Sequence, residues 1–542
     1  MTRPRTLAIG LDGYEPSLGE VLRAAGRMPH LSRLHEQSAR VELEHGNARY
    51  SGLAWEHVSR GLAPEAASRF SAVHFDRDRY EARQHGTSSA PLFASLDLRA
   101  VIFDAPYFDL ERAPNCCGLV SWGAHDGGTP RHSRPAELAA EIESRFGPYP
   151  AQEFLYGFVW PDAERTRAMG DALERAVDAR AEIGRWLLCE RFPEWDFALL
   201  VVSELHSALE ALWHGVDPEH PLHALPSAKP AHDGVVRAYT AVDRLIGSIR
   251  ECAEAAQVVV FSMHGMGPNR SDVPSMLLLP ELLYRASHGR VGFTPRPEWA
   301  AAPSGIPLLG PGASWSRAVL DGCTPRRGAK RSWRIRARRA WGRLAPDAPA
   351  VSGDSLGWMP AARYQRCWSD MDAFALPSFY DGRVRINLRG RERFGRVAPA
   401  DYEACCDEVE ELLADCRDLR TGEPVVAEIE RPLRGNPGAA AATHADLVIR
   451  WRGSALGFRH PRLGAIGPAP YRRTGGHAGG PGVGYFELPD AAPGDYGRRS
   501  AFDVVPTLLD LCGVAADGIS GESLLPVLAP PTRGRAAKES IR

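Results

Sequence analysis

Short apolar runs separated by helical stretches dominate the first half of this chain, and they leave few architectures open. Strand-like runs occupy residues 6–11, 100–103, 197–202 and 258–261, with another at 447–451. Helical patterns lie between them, over 135–146, 163–189 and 234–252. This alternation predicts an α/β fold with a central, mostly parallel sheet sandwiched between helices. The runs at 197–202 and 258–261 are apolar at every position, as strands covered on both faces are. Open α/β sheets gather ligands at the carboxyl ends of their strands. Polar residues just after each run are therefore the first candidates for chemistry.

Asp12 follows the first run and precedes Gly13, where a carboxylate serves either as a helix cap or as a metal ligand. His264 stands just beyond the 258–261 run, before Gly265 and Gly267. The 197–202 run opens into Glu204, His206 and Glu210, followed by Trp213. Four apart on a helix, His206 and Glu210 face the same way, as a ligand pair or as an ordinary surface pair. The neighbouring His214, His220 and His223 read as solvent-facing. His477 lies in the glycine-rich segment RRTGGHAGGPGVGYF. His125 and Asp126, in WGAHDGG, read equally as a substrate-side loop or a polar turn.

Composition narrows the class further. With 44% hydrophobic and 24% charged residues, the chain has the makings of an ordinary globular protein with a large core. Its net charge of -2 offers no bulk attraction to polyanions, and no nucleic-acid partner is expected. The opening apolar run is too short for a signal peptide or a membrane span. None of the ten cysteines is in CxxC spacing, and the adjacent pairs Cys116-Cys117 and Cys405-Cys406 suit a disulfide framework poorly. A reducing cytoplasm is the expected compartment. Residues 285–355, rich in Pro, Gly and Arg, read as a cap or insertion. Within it, 326–344 pack nine basic residues into nineteen, with tryptophans at helical spacing. That segment reads as a solvated helix, or else as a contact for an anionic substrate tail, a partner or an acidic membrane surface. Residues 531–542 read as a flexible tail.

Several motifs resemble the alkaline phosphatase superfamily. VVVFSMHGMGPN resembles its SDHGM signature, with Met263 at the Asp position. IGLDGYEP with MPHLSRL resembles the opening element, and AFDVVPTLLDLCGVAADGISGESLLPVL resembles the closing one. INLRGRERFGRV is similar to an element of phosphohydrolases in the same superfamily. The pattern W-x-x-V-x-x-G-L-x-P, beginning at Trp55, resembles the helix after the nucleophile in the type I phosphodiesterase/nucleotide pyrophosphatase branch. Counting ten back from Gly61 lands on Ser51. The sulfatase pattern C/S-x-P-x-R is absent, since Leu53 and Trp55 occupy its later positions. These motifs span residues 6 to 528.

The resemblance implies an alkaline-phosphatase-like α/β catalytic domain over 1–530, with the 285–355 cap within it. It implies a metal-dependent phosphoester hydrolase in which Ser51 attacks phosphorus. Asp12, Ser51 and His264 would hold one divalent ion, and His206, Glu210 and His477 the other, with Glu204 as a further ligand. Zinc, or else manganese, one or two per chain, suits that set. The expected partner is a small-molecule phosphate or sulfate ester. Two alternatives stay open: a phosphoryl or sulfuryl transferase acting on a specialised metabolite, and a degenerate, non-catalytic member that binds an anion or a partner.

Overall fold

The computed structural model describes residues 4–529 except 88, 125–128, 156–161, 254–255, 311 and 327–353. His125, Asp126, most of the basic 326–344 segment and the 531–542 tail lie outside the described residues. Nine strands form the central sheet: β1 (Thr6–Leu11), β2 (Ala39–Glu44), β3 (Ala100–Phe103), β4 (Cys116–Val120), β5 (His132–Arg134), β6 (Phe197–Val202), β7 (Gln257–His264), β8 (Pro481–Glu487) and β9 (Gly494–Ser500). Their order is β9-β2-β8-β7-β1-β6-β3-β4-β5. The run β7-β1-β6-β3-β4 is parallel throughout, as the alternation predicts. β8 enters antiparallel to both β7 and β2, and β5 is antiparallel to β4.

Side-chain alternation explains how helices come to cover both faces. Leu7, Ile9 and Leu11 of β1 and Val258 and Val260 of β7 pack into one apolar layer. That layer includes Leu173 and Val177 from α2 (Ala163–Trp186) and Val242 and Leu245 from α4 (Ala228–Cys252). Ala8, Val259, Phe261 and Met263 belong to the opposite layer, with Trp55 and Val58 of α1 (Ala54–Arg60). The start of α2 is fixed by the Asp162 carboxylate, which accepts a hydrogen bond from the Arg165 amide at 2.9 Å.

Two readings change. The 447–451 run does not join the central sheet. It pairs antiparallel with Gly382–Ile386 and Val426–Glu430 in a separate four-stranded sheet, over its own apolar cluster. A short apolar run carries no record of which sheet it joins. Cys189 and Cys252, at the ends of neighbouring helices, are joined as a disulfide with Cα atoms 6.5 Å apart. Both adjacent cysteine pairs are free thiols. Among the described residues, no helix is long and apolar enough to cross a membrane.

Candidate active site

The carboxyl ends of β1, β6 and β7 open into a cavity of about 540 Å3. Asp12, His206, Glu210, His264 and His477 all line it. Three chain segments are drawn together there by close backbone approaches. Gly13, at φ +70°, turns the chain after β1. A Cβ on it would lie 2.3 Å from the Cα of His206, so only glycine lets the loop touch α3 (Glu204–Val216). The segment before His477 docks on the same helix. Thr474 donates from its amide to the Glu210 carbonyl and from its hydroxyl to the Ala211 carbonyl, both at 2.9 Å. Gly475 would bring a Cβ 2.1 Å from the Leu209 carbonyl oxygen.

The result is a compact polar cluster. His206 Nδ1 lies 3.3 Å from Asp12 Oδ2. Its Nε2 lies 3.1 Å from His477 Nε2 and 3.4 Å from Glu210 Oε1. The His264 and His477 rings are 4.5 Å apart, and Tyr380 stacks on His477 at 3.7 Å. Burial is the main force on the charges. It pushes the His264 pKa down to about 4 and that of His477 well below its ordinary value, so both rings are neutral at pH 7.

Glu204, expected as a metal ligand, does not line the cavity. Its carboxylate accepts hydrogen bonds from Nε and Nη2 of the fully buried Arg180, which also donates to Asp104. Ser51 ends a 3-10 helix, Gly46–Ser51, three residues ahead of α1 rather than on it. Its hydroxyl donates to the Ala48 carbonyl at 2.6 Å and accepts from the Leu53 amide at 3.1 Å. Ser51 is not among the lining residues, although Gly52 is. His214 and His220, read as solvent-facing, are buried at 1% and 4% exposure. His214 Nε2 meets the Ser227 hydroxyl at 3.2 Å, and the His220 ring packs at a tilt of 46° against Tyr471.

Sequence reasoning missed the arginines. Arg473 forms a two-pronged pair with Asp272, Nε to Oδ2 and Nη2 to Oδ1, each at 2.8 Å. Its Nη1 rests against Glu210 Oε1. Arg472 donates to Asp272 Oδ2 at 3.0 Å. Both arginines line the cavity, four and five residues before His477, in the segment singled out for its histidine alone. Burial lowers the Arg473 pKa to about 9, which leaves it charged at neutral pH.

These contacts bear on the expected metals. Zinc sites bring about four donors to one point at about 2.0–2.2 Å for nitrogen and oxygen. Among the described residues, no group of three or more His, Cys, Asp or Glu side chains is arranged to hold an ion. A guanidinium already neutralises Glu210. Met263, in the place of an acidic ligand, lies in the apolar layer with Trp55 and Phe261. The donor set does not fit the two-metal centre that the motifs imply.

Much of the remaining lining of the cavity is aromatic. Trp55, Tyr107, Trp358, Phe379 and Tyr380 face it, with Ser314, Ser316 and Ser355 contributing hydroxyls. The two serines at 314 and 316 come from the first part of the 285–355 segment.

No protein-family model matches the chain, and no curated protein matches it. Among solved structures, it is similar to phosphonoacetate hydrolase from Sinorhizobium meliloti 1021 in complex with phosphonoformate. That match has 12% identity and a TM-score of 0.45, over 95% of this chain and 96% of that one. It is also similar to human ectonucleotide pyrophosphatase / phosphodiesterase 5, at 11% identity and a TM-score of 0.47, over 97% of this chain and 99% of that one. Each likeness spans nearly the whole of both chains.

Proposed function

We propose that this chain is a phosphoester hydrolase whose substrate pairs an anionic phosphoryl group with a flat apolar one. One observation carries the reading: Asp12, His206, His264 and His477 come from separate segments to one cavity at the carboxyl ends of parallel strands. The choice of phosphoryl chemistry rests on the sequence motifs, and the apolar group on the aromatic wall. In this reading the phosphoryl group sits deep, beside the histidines, and the leaving group lies against Trp55, Trp358 and Tyr380. A divalent metal has no part in it, because the donor set does not fit one.

Two attacking groups are compatible with this proposal. The motif register favours Ser51, whose hydroxyl would have to leave the Ala48 carbonyl to reach the cavity. The geometry of Asp12 and His206 favours water. Asp12 beside Nδ1 would hold the ring as a general base, with Nε2 exchanging its contact with His477 Nε2 for a water in the cavity. The test is turnover of an aryl phosphodiester by wild type and Ser51→Ala. Loss of turnover in a folded variant assigns the nucleophile to Ser51, and retention assigns attack to water. Absence of turnover by wild type on aryl mono- and diesters of phosphate and sulfate would sink the hydrolase reading. Turnover that appears only with an added hydroxyl acceptor would replace it with transfer.

A further inference from the structure

The arginine cluster beside the histidines has no place in the motifs, yet it controls the charge of the cavity. Asp272 holds both guanidinium groups at once, using two contacts to Arg473 and one to Arg472. Arg473 then spans from Asp272 to Glu210, so a fixed positive charge stands beside the carboxylate that the motifs reserve for a metal. Arg472 is differently placed. Its side chain is only 8% exposed, its guanidinium lies 5.0 Å from the centre of the Trp358 ring, and its buried Nε has no hydrogen-bond partner. Both arginines line the cavity, where a charged N–H donor holds an oxyanion more strongly than a neutral one.

We infer that Arg472 and Arg473, clamped by Asp272, form a guanidinium site that binds the phosphoryl group of the substrate without a divalent metal. Guanidinium suits this task because it is charged at neutral pH and its N–H groups are arranged in a planar fork that fits tetrahedral oxyanions. Asp272 fixes the orientation of both forks, which lowers the entropy lost when the anion arrives. Glu210, instead of ligating an ion, braces the far side of Arg473. This inference rests on the phosphoester reading for its ligand class, but makes a separate claim about what holds the anion.

The experiment is calorimetric titration of the full-length protein with inorganic phosphate, before and after exhaustive chelation, with the metal content of both samples measured. The expected result is phosphate binding that survives chelation with the Kd unchanged within about twofold. Arg472→Gln, which removes charge at a cavity-facing residue, should weaken it by roughly tenfold or more, the scale for a lost charged hydrogen bond. Arg472→Lys should recover only part of the loss, because a point charge does not replace the fork. Phosphate binding that disappears on chelation and returns with zinc would overturn the inference, as would wild-type affinity in Arg472→Gln. The wild-type arm needs no variant to fold. Chelation-resistant binding in a protein that turns over no ester would uphold the guanidinium site and refute the hydrolase reading. Zinc-dependent binding with ester turnover would do the reverse.

Discussion

Arg180 and Arg473 are each held between two carboxylates, but in different settings. Arg180, on α2, is fully buried at the carboxyl ends of β3 and β6 and uses its donors on Glu204, Asp104 and the Val201 carbonyl. Arg473 makes the same kind of bridge, between Asp272 and Glu210, but on the wall of the cavity beside an arginine that still has an unpartnered donor. A closed network of this kind ties elements together and has nothing left to offer a ligand. An open one of the same composition presents charge to whatever enters. Placement relative to the cavity, rather than residue type, separates architecture from chemistry here.

The largest effect should come from breaking the closed network. Arg180→Met leaves Asp104 and Glu204 buried without a counter-charge, and should cost about 3–5 kcal/mol of stability in urea unfolding. A loss under about 1 kcal/mol would mean that the two carboxylates are neutral or wet, and that the contrast drawn with Arg473 is false. A smaller effect is expected at Met263. Met263→Asp puts a carboxylate into the apolar layer with Trp55 and Phe261, and should destabilise the protein by roughly 1–3 kcal/mol without creating zinc affinity. Tight zinc binding by this variant would instead make Met263 the missing member of a metal site.

The third prediction is a pH dependence of stability. Burial lowers His57 to about 3 and His214, His220 and His264 to about 4, whereas unfolded histidine titrates near about 6.5. The unfolded chain therefore binds more protons in this window, and stability falls as pH drops from about 6.5 towards 4. Each such histidine contributes a slope of about 1.4 kcal/mol per pH unit where it is charged only when unfolded. Denaturant midpoints that stay flat between pH 7 and 5 would show these rings to be hydrated in the folded state.

The parallel core was legible because Leu7, Ile9, Val258 and Val260 belong to runs whose periodicity and length state their role locally. Asp12, His206, Glu210, His264 and His477 were legible for a related reason: each follows a strand or lies in a recognisable motif. The rest depends on contacts far apart in sequence. Nothing near Glu204 announces Arg180, 24 residues earlier, and nothing near Glu210 announces Arg473. The register that finds Ser51 does not show where its hydroxyl points. The antiparallel β8 escaped notice because its glycine-rich sequence lacks apolar alternation, although Gly482 is needed where the strand nears the Ser262 carbonyl.

The most direct test of the account is the initial rate of aryl phosphodiester hydrolysis by chelator-treated wild type and by His206→Ala, with melting curves on both. Turnover should persist in the presence of chelator. In His206→Ala the rate should fall by about a hundredfold to ten-thousandfold, the range for losing a general base, with the fold intact. Turnover that vanishes with chelator, or an equal rate in the folded variant, would contradict the account.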